Sequence, residues 1–241
     1  MHTQTETITS PSGPMGVYVV RPEGEGPFPV IVSFHHGPGL EQGSKDTMAM
    51  LAEWGYYVIS HDRYHRDVEW YVMGGRSDED MQQMFGLIMG TDEGKVSEDL
   101  GAVLDYVAAD SAASDGPMGC IGYCIGARSV LVTIGERGEQ FRAGVALHPS
   151  FCTTDGDDSP HLVVPSYTGS LYVGFGSADT MQPASDNGPL IDFTNALDKG
   201  EADIHDGADH GFGVLGPSYH QAAGDASYER AKVMFARELQ S

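Results

Sequence analysis

The chain has 241 residues, three cysteines and a formal net charge of -22 at pH 7. This length suits one domain of the α/β type, spanning residues 1–241, whose core is large enough to fold without disulfide bonds. A chain this acidic is a poor partner for nucleic acid or an anionic membrane surface, and we expect neither. Few cysteines, a polar N-terminus without a secretory leader, and the lack of a long apolar run predict a cytoplasmic protein.

The predicted elements begin with two alternating strands, 5–9 and 16–20, which a Pro-Ser-Gly-Pro turn joins into an antiparallel edge hairpin. Further strands are predicted at 30–34, 56–60, 117–121, 141–147, 170–176 and 202–205. Helices are predicted at 45–54, 97–109, 127–134, 187–199 and 222–239. Because strands alternate with helices, the sheet should be mostly parallel with helices on both of its faces.

The pentapeptide Gly-Tyr-Cys-Ile-Gly at 122–126 lies between a predicted strand and a predicted helix. This is the setting of a nucleophile elbow, in which glycines on both sides relieve crowding around a strained central residue. Cys124 takes that central place, and the N–H groups of the helix start would favour its thiolate. The alternative is a small buried cysteine in a glycine-rich turn.

Two further residues follow Cys124 in the order that such hydrolases use, which is nucleophile, acid, histidine. Asp179 comes directly after the strand 170–176, and His210 lies in a glycine-rich loop at 206–212. Alone, each could be an ordinary turn or loop residue. Together they predict a triad in which His210 moves the proton, Asp179 orients the imidazole and Cys124 attacks an ester or lactone carbonyl.

An oxyanion hole needs one N–H from the residue after the nucleophile and a second from the loop that follows an earlier strand. The first requirement selects Ile125. The second selects Gly37, which follows the strand 30–34 in the sequence His-His-Gly-Pro-Gly. Pro38 has no N–H group and cannot serve.

The periodic pattern weakens between residues 66 and 94, in front of the elbow. We interpret this segment as an insertion that covers the site, with a Met-rich helix that could line an adaptable pocket. Trp70 and Tyr71 are its best candidates for substrate contact, and Arg76 is one of the basic residues expected nearest the site. Ordinary core packing is the alternative for the methionines.

At this point the chain resembles the dienelactone hydrolase family of the α/β-hydrolase superfamily, from about Val17 to Phe235. The motifs that carry the resemblance are Gly-Tyr-Cys-Ile-Gly-Ala at 122–127, Phe-Gly-Ser-Ala-Asp at 175–179 and Ala-Asp-His-Gly-Phe at 208–212. The resemblance implies the α/β-hydrolase fold and a Cys-His-Asp hydrolase that acts on enol-lactones or small activated esters. It implies neither a metal nor an organic cofactor.

The sequence departs from that family's pattern at two places. His36 stands where the family carries a Glu that interacts with the cysteine, and no Arg follows His210 to bind a substrate carboxylate. These differences concern the substrate rather than the type of reaction. His36 and Tyr123 remain candidates for a supporting role beside the thiol or the substrate.

Two other classes of function are open. Histidines near predicted strand ends could bind a catalytic metal, although their spacing matches no zinc signature; they are His35, His36, His61, His65 and His210. The chain could also be a binding protein that kept the fold without the activity. As partner we expect a small ester or lactone, bound by a monomer or a homodimer.

Overall fold

The structure is a computed structural model, which describes residues 1–240. The chain forms two compact units, Met1–Gly116 and a second that begins at Pro117. The single domain expected over 1–241 stays a prediction, and its last residue, Ser241, lies outside the described residues. Within residues 1–240, no helix combines the length and the apolar character that a membrane crossing requires.

The first unit contains a sheet whose strands lie in the order β1-β2-β4-β3. Its strands are β1 (His2–Ser10), β2 (Gly13–Arg21), β3 (Val30–Phe34) and β4 (Tyr57–His61), and its helices are α1 (Gln42–Glu53), α2 (Asp78–Gly90) and α3 (Glu93–Ala109). β1 and β2 form the predicted antiparallel hairpin, β2 pairs antiparallel with β4, and β3 pairs parallel with β4. The apolar strands β3 and β4 are buried throughout, whereas β1 is largely exposed.

The second unit contains parallel strands in the order β5-β6-β7-β8. Its strands are β5 (Met118–Tyr123), β6 (Phe141–Leu147), β7 (Ser170–Gly176) and β8 (Gly200–His205), and its helices are α4 (Ile125–Arg137), α5 (Gly188–Asn195) and α6 (Gln221–Leu239). Because the strands are parallel, their carboxyl ends meet at one edge, where ligand sites of α/β proteins form. The predicted α/β class, with mostly parallel strands after an N-terminal antiparallel hairpin, is confirmed.

The segment 66–94 contains α2, which begins with a capping box between Ser77 and Asp80. Met84 and Ile88 are the buried residues of this helix. They lie against the loop that follows β3, since a Cβ built on Gly37 would be 2.9 Å from Ile88 Cδ1 and 3.1 Å from Met84 Sδ. Helix α2 therefore covers the loop in which the sequence predicts an oxyanion donor.

Candidate active site

Cys124 occupies a sharp turn between β5 and α4. Its backbone has φ 55° and ψ −117°, in a region that non-glycine residues rarely adopt. A Cβ built on Gly122 would lie 2.1 Å from the carbonyl oxygen of Gly126. The turn can therefore close only when residue 122 has no side chain, which is the physical reason for the glycine in the motif.

We expect Gly122→Ala to destabilise the protein by about 3 kcal/mol or more, because the clash is with backbone that cannot rotate away. Urea unfolding followed by circular dichroism measures this loss. The matched control is Gly101→Ala in α3, where a new Cβ meets nothing within 4 Å. That change should stabilise the protein by up to about 1 kcal/mol, since alanine is the better helix former. Equal unfolding midpoints for the two variants would contradict the steric argument.

His210 and Asp179 are joined by a short polar contact. Nδ1 of His210 lies 2.7 Å from Oδ2 of Asp179, whose side chain is only 2% exposed. The other carboxylate oxygen, Oδ1, accepts the backbone N–H groups of Met181 and Gln182, both at 2.9 Å. With both oxygens engaged, Asp179 is fixed and directs the Nδ1–H tautomer of His210.

The pKa shifts of His210 and Asp179 favour a protonated imidazole beside an ionised carboxylate. Burial alone would lower the pKa of His210, but Asp179 and the Cys124 sulfur outweigh it and raise the pKa of His210 to about 10. Burial would raise the pKa of Asp179, yet the N–H donors from His210 and the backbone hold that pKa below its ordinary value. Nε2 of His210 is buried. The Cys124 sulfur raises the pKa of His210 both by a side-chain hydrogen bond and by its charge.

A serine that sequence reasoning missed contacts the cysteine. Oγ of Ser150 lies 3.3 Å from Sγ of Cys124, and Ser150 is 3% exposed. The backbone N–H of Ser150 also donates to the carbonyl oxygen of Cys124 at 3.1 Å. No motif marks Ser150. The only signal is its place just after β6, the neighbour of β5 in the sheet.

Backbone strain concentrates around this turn. Four non-glycine residues of the described chain have positive φ, and three of them are Cys124, His148 and Phe151. The ring of His148 packs edge-on against that of His210, with 5.0 Å between the centroids. Strained residues cluster at functional sites because their geometry is maintained there by the surrounding structure.

Ile125 and Tyr123 lie on either side of the cysteine. Ile125 is the first residue of α4, so its N–H lacks an acceptor within the helix and its role as an oxyanion donor stays a prediction. Tyr123 is 2% exposed, and its hydroxyl accepts a hydrogen bond from Tyr228 at 3.2 Å. The ring of Tyr123 is 6.1 Å from that of His148. Tyr123 therefore packs inside the second unit with its hydroxyl hydrogen-bonded, and its role beside the thiol or the substrate stays a prediction.

The remaining predicted residues belong to the first unit. The carbonyl of Gly37 accepts the hydroxyl of Tyr64 at 3.2 Å, so that this peptide group is held in place. Nε2 of His36 lies 3.1 Å from Oε1 of Glu41, and Glu41 caps the N-terminus of α1. His36 is thus tied to the start of α1. Its role beside the thiol, like that of Gly37 as an oxyanion donor, stays a prediction.

The predicted substrate contacts lie in the segment before α2. Trp70 has φ 50° and donates its backbone N–H to Asp62 Oδ2 at 2.6 Å. Tyr71 is 7% exposed and packs edge-on against Tyr64, with 5.7 Å between the ring centroids. Arg76 is exposed. All three stay predictions as substrate contacts.

The histidines of the metal hypothesis are not gathered into a ligand set. Nε2 of His35 lies 3.3 Å from the backbone N of Arg63. Nε2 of His65 lies 3.2 Å from the Asp99 carboxylate. Among residues 1–240, no group of three or more His, Cys, Asp or Glu is placed to hold a metal ion. The described side chains therefore give this alternative no site.

The fold is that of the α/β-hydrolases. A candidate dienelactone hydrolase from Klebsiella pneumoniae superposes with a TM-score of 0.84 at 21% identity, covering 98% of each chain. The promiscuous, dienelactone hydrolase-like phosphotriesterase P91 from metagenomic libraries superposes at 0.75 with 18% identity, covering 99% of this chain and 100% of its own.

The family follows from the sequence comparison. The model of the Dienelactone hydrolase family matches residues 15–239, and the chain belongs to that family. The carboxymethylenebutenolidase of Pseudomonas putida is 25% identical over 197 residues, which is 76% of this chain and 82% of the enzyme. The family resemblance read from the sequence is therefore confirmed, and the protein is a hydrolase of this family.

Proposed function

We propose that the protein hydrolyses small esters or lactones through Cys124, His210 and Asp179. The observation that carries this proposal is the 2.7 Å contact between His210 Nδ1 and the buried Asp179 carboxylate, with the Cys124 sulfur close enough to raise the pKa of His210. An imidazole oriented by a carboxylate beside a thiol in a strained turn is the arrangement that nucleophilic catalysis requires.

In the first half of the reaction the Cys124 sulfur, as thiolate, attacks the substrate carbonyl carbon and forms a C–S bond. The carbonyl π electrons move onto oxygen and return as the C–O bond of the leaving group breaks. His210, which holds the proton, gives it to the departing alkoxide. The products of this half are an alcohol and an acyl-thioester; a lactone would stay attached as a hydroxyacyl group.

In the second half a water molecule attacks the thioester while His210 takes its proton. The C–S bond then breaks, the acid leaves, and the proton on His210 again balances the Cys124 thiolate. The N–H groups of Ile125 and Gly37 are the proposed donors to the substrate carbonyl oxygen during both acylation and hydrolysis of the thioester. One such donor contributes about 10²–10³ in rate.

The substrate class rests on the family and on the relative from Pseudomonas putida, whose name denotes a butenolide hydrolase. The two departures in sequence, His36 and the missing Arg after His210, argue for a carbonyl substrate without the usual carboxylate contact. Small esters and lactones fit both considerations. The chemistry uses only side chains and water, so we propose no cofactor.

The experiment that tests the proposal is capture of the acyl-enzyme. After rapid acid quenching with p-nitrophenyl acetate, intact-protein mass spectrometry should show one added acetyl group, and peptide mapping should place it on Cys124. Cys120 and Cys152 are internal controls, since both are fully buried. An acetyl group on a lysine or serine alone, or turnover with no adduct on Cys124 at any quench time, would contradict the mechanism.

A further inference from the structure

The Cys124 sulfur has a polar neighbour that the proposed mechanism leaves unused. Oγ of Ser150 lies 3.3 Å from Sγ, which is within hydrogen-bonding distance for sulfur. A serine hydroxyl can donate or accept, so it suits either state of the cysteine. With a thiol it accepts the weak S–H donor, whereas with a thiolate it can only donate.

The hydroxyl is held in place by the backbone. Cys124 donates its N–H to the carbonyl of Leu147, and Ser150 donates its N–H to the carbonyl of Cys124, both at 3.1 Å. The segment between Leu147 and Ser150 is also bonded to β7, because His148 donates its N–H to the carbonyl of Gly174 at 2.8 Å. We call residues 147–150 the bracket; its backbone hydrogen bonds fix the position of Ser150 relative to Cys124.

The bracket is strained on both sides of Ser150. His148 has φ 39° and Phe151 has φ 54°. Phe151 is held by a bond from its N–H to Gln182 Oε1 at 3.2 Å and by a bond from Arg128 to its carbonyl. Burying a serine does not by itself require left-handed backbone at two nearby residues. Strained backbone of this kind is typical of functional sites, and here it flanks the residue whose hydroxyl contacts the Cys124 sulfur.

We propose that Ser150 is a further catalytic residue, whose hydroxyl donates a hydrogen bond to the Cys124 thiolate, holds the sulfur beside His210 and stabilises its charge. The inference rests on the proposed function, in which Cys124 is the nucleophile. Ser150 neither gains nor loses a proton in the cycle. Its bond weakens as the sulfur forms the C–S bond and reforms when the thioester is cleaved.

This role has a signature that a packing role lacks. A donor to the thiolate increases the fraction of sulfur ionised at low pH but makes each thiolate less nucleophilic. The test is the rate of alkylation of Cys124 by iodoacetamide from pH 5 to 10, followed by mass spectrometry of its peptide. For Ser150→Ala we expect the midpoint to rise by about one pH unit, since bonds to charged groups are the stronger ones.

Below the wild-type midpoint, alkylation of Ser150→Ala should be about threefold slower, because a thiolate fraction about tenfold smaller is partly offset by the greater reactivity of each thiolate. On the alkaline plateau it should be about threefold faster, because nucleophilicity rises with basicity. Ser150→Thr keeps the hydroxyl and should return the midpoint toward that of the wild type. The matched control is Ser227→Ala, a fully buried serine that bonds to His205 Nε2 at 2.9 Å and should leave the profile unchanged.

Folding is monitored by near-ultraviolet circular dichroism. A folded Ser150→Ala with the wild-type profile overturns the proposal. So does unfolding of both Ser150→Ala and Ser150→Gly at 10 °C, because the hydroxyl would then serve the fold. Alkylation needs no turnover, which separates this test from the proposed function. If Cys124 proves unnecessary for hydrolysis, the profile still reports whether Ser150 bonds to its sulfur.

Discussion

Cys124→Ala is expected to lower kcat/KM for p-nitrophenyl acetate by about 10⁴-fold or more. Loss of the nucleophile removes the covalent route, while oxyanion donors and substrate binding still give a small residual rate. The alanine should fit the same turn, since alanine and cysteine share the Cβ atom and meet the φ 55° backbone of residue 124 with the same strain. The fold should therefore survive, and the measurement is steady-state hydrolysis at pH 7.5 together with a thermal melt.

Two variants complete this comparison. Cys120→Ala changes a fully buried cysteine of β5, the strand before the turn, and should keep the wild-type rate at temperatures well below its melting point. Cys124→Ser keeps a nucleophile of similar size but a far less acidic one, so its rate should lie between those of the alanine variant and the wild type. If Cys124→Ala hydrolyses the ester as fast as Cys120→Ala does, the nucleophile lies elsewhere.

The sequence was informative about this protein wherever local chemistry fixes local geometry. Local sequence determines the backbone conformation at three places: the buried apolar strands, the hairpin turn before Gly13 and the two glycines around Cys124. The prediction that Asp179 would lie near His210 needed only the chain order of hydrolases and the rule that parallel strands end at one edge. Their catalytic roles stay predictions.

The sequence was least informative where a contact depends on how a turn bends. Ser150 reaches the sulfur because His148 and Phe151 adopt left-handed backbone angles, and neither residue type signals this. The contact of the His36 imidazole with Glu41 at the start of α1 is also missing from the sequence pattern, and the role of His36 beside the thiol stays a prediction. Such contacts depend on side-chain direction after the fold has formed, which periodicity does not report.

Asp179→Asn is expected to lower kcat/KM by about 10⁴-fold while leaving the protein folded. An amide has nearly the same shape as the carboxylate, and its oxygen can still accept the backbone N–H groups of Met181 and Gln182. It cannot, however, balance the charge of an imidazolium. His210 would lose both its preferred tautomer and the partner that favours its protonated form.

The pH dependence distinguishes this explanation from a merely structural one. The pKa of His210 is raised to about 10, so the wild-type rate should hold its plateau until that pH and fall above it as the imidazole loses its proton. Asp179→Asn removes a cause of the raised pKa, so the alkaline limb should move to lower pH. The measurement is kcat/KM from pH 5 to 11, with enzyme stability checked at each end.

The matched control for that series is Asp209→Asn, the same substitution in the residue next to the histidine. Asp209 is exposed, and its carboxylate accepts the backbone N–H of His210 at 2.7 Å rather than the imidazole. We expect its rate to stay near that of the wild type and its alkaline limb to stay near pH 10. If the two asparagine variants have the same profile, the contact between Asp179 and Nδ1 is not what sets the charge of His210, and the proposed proton transfers lose their basis.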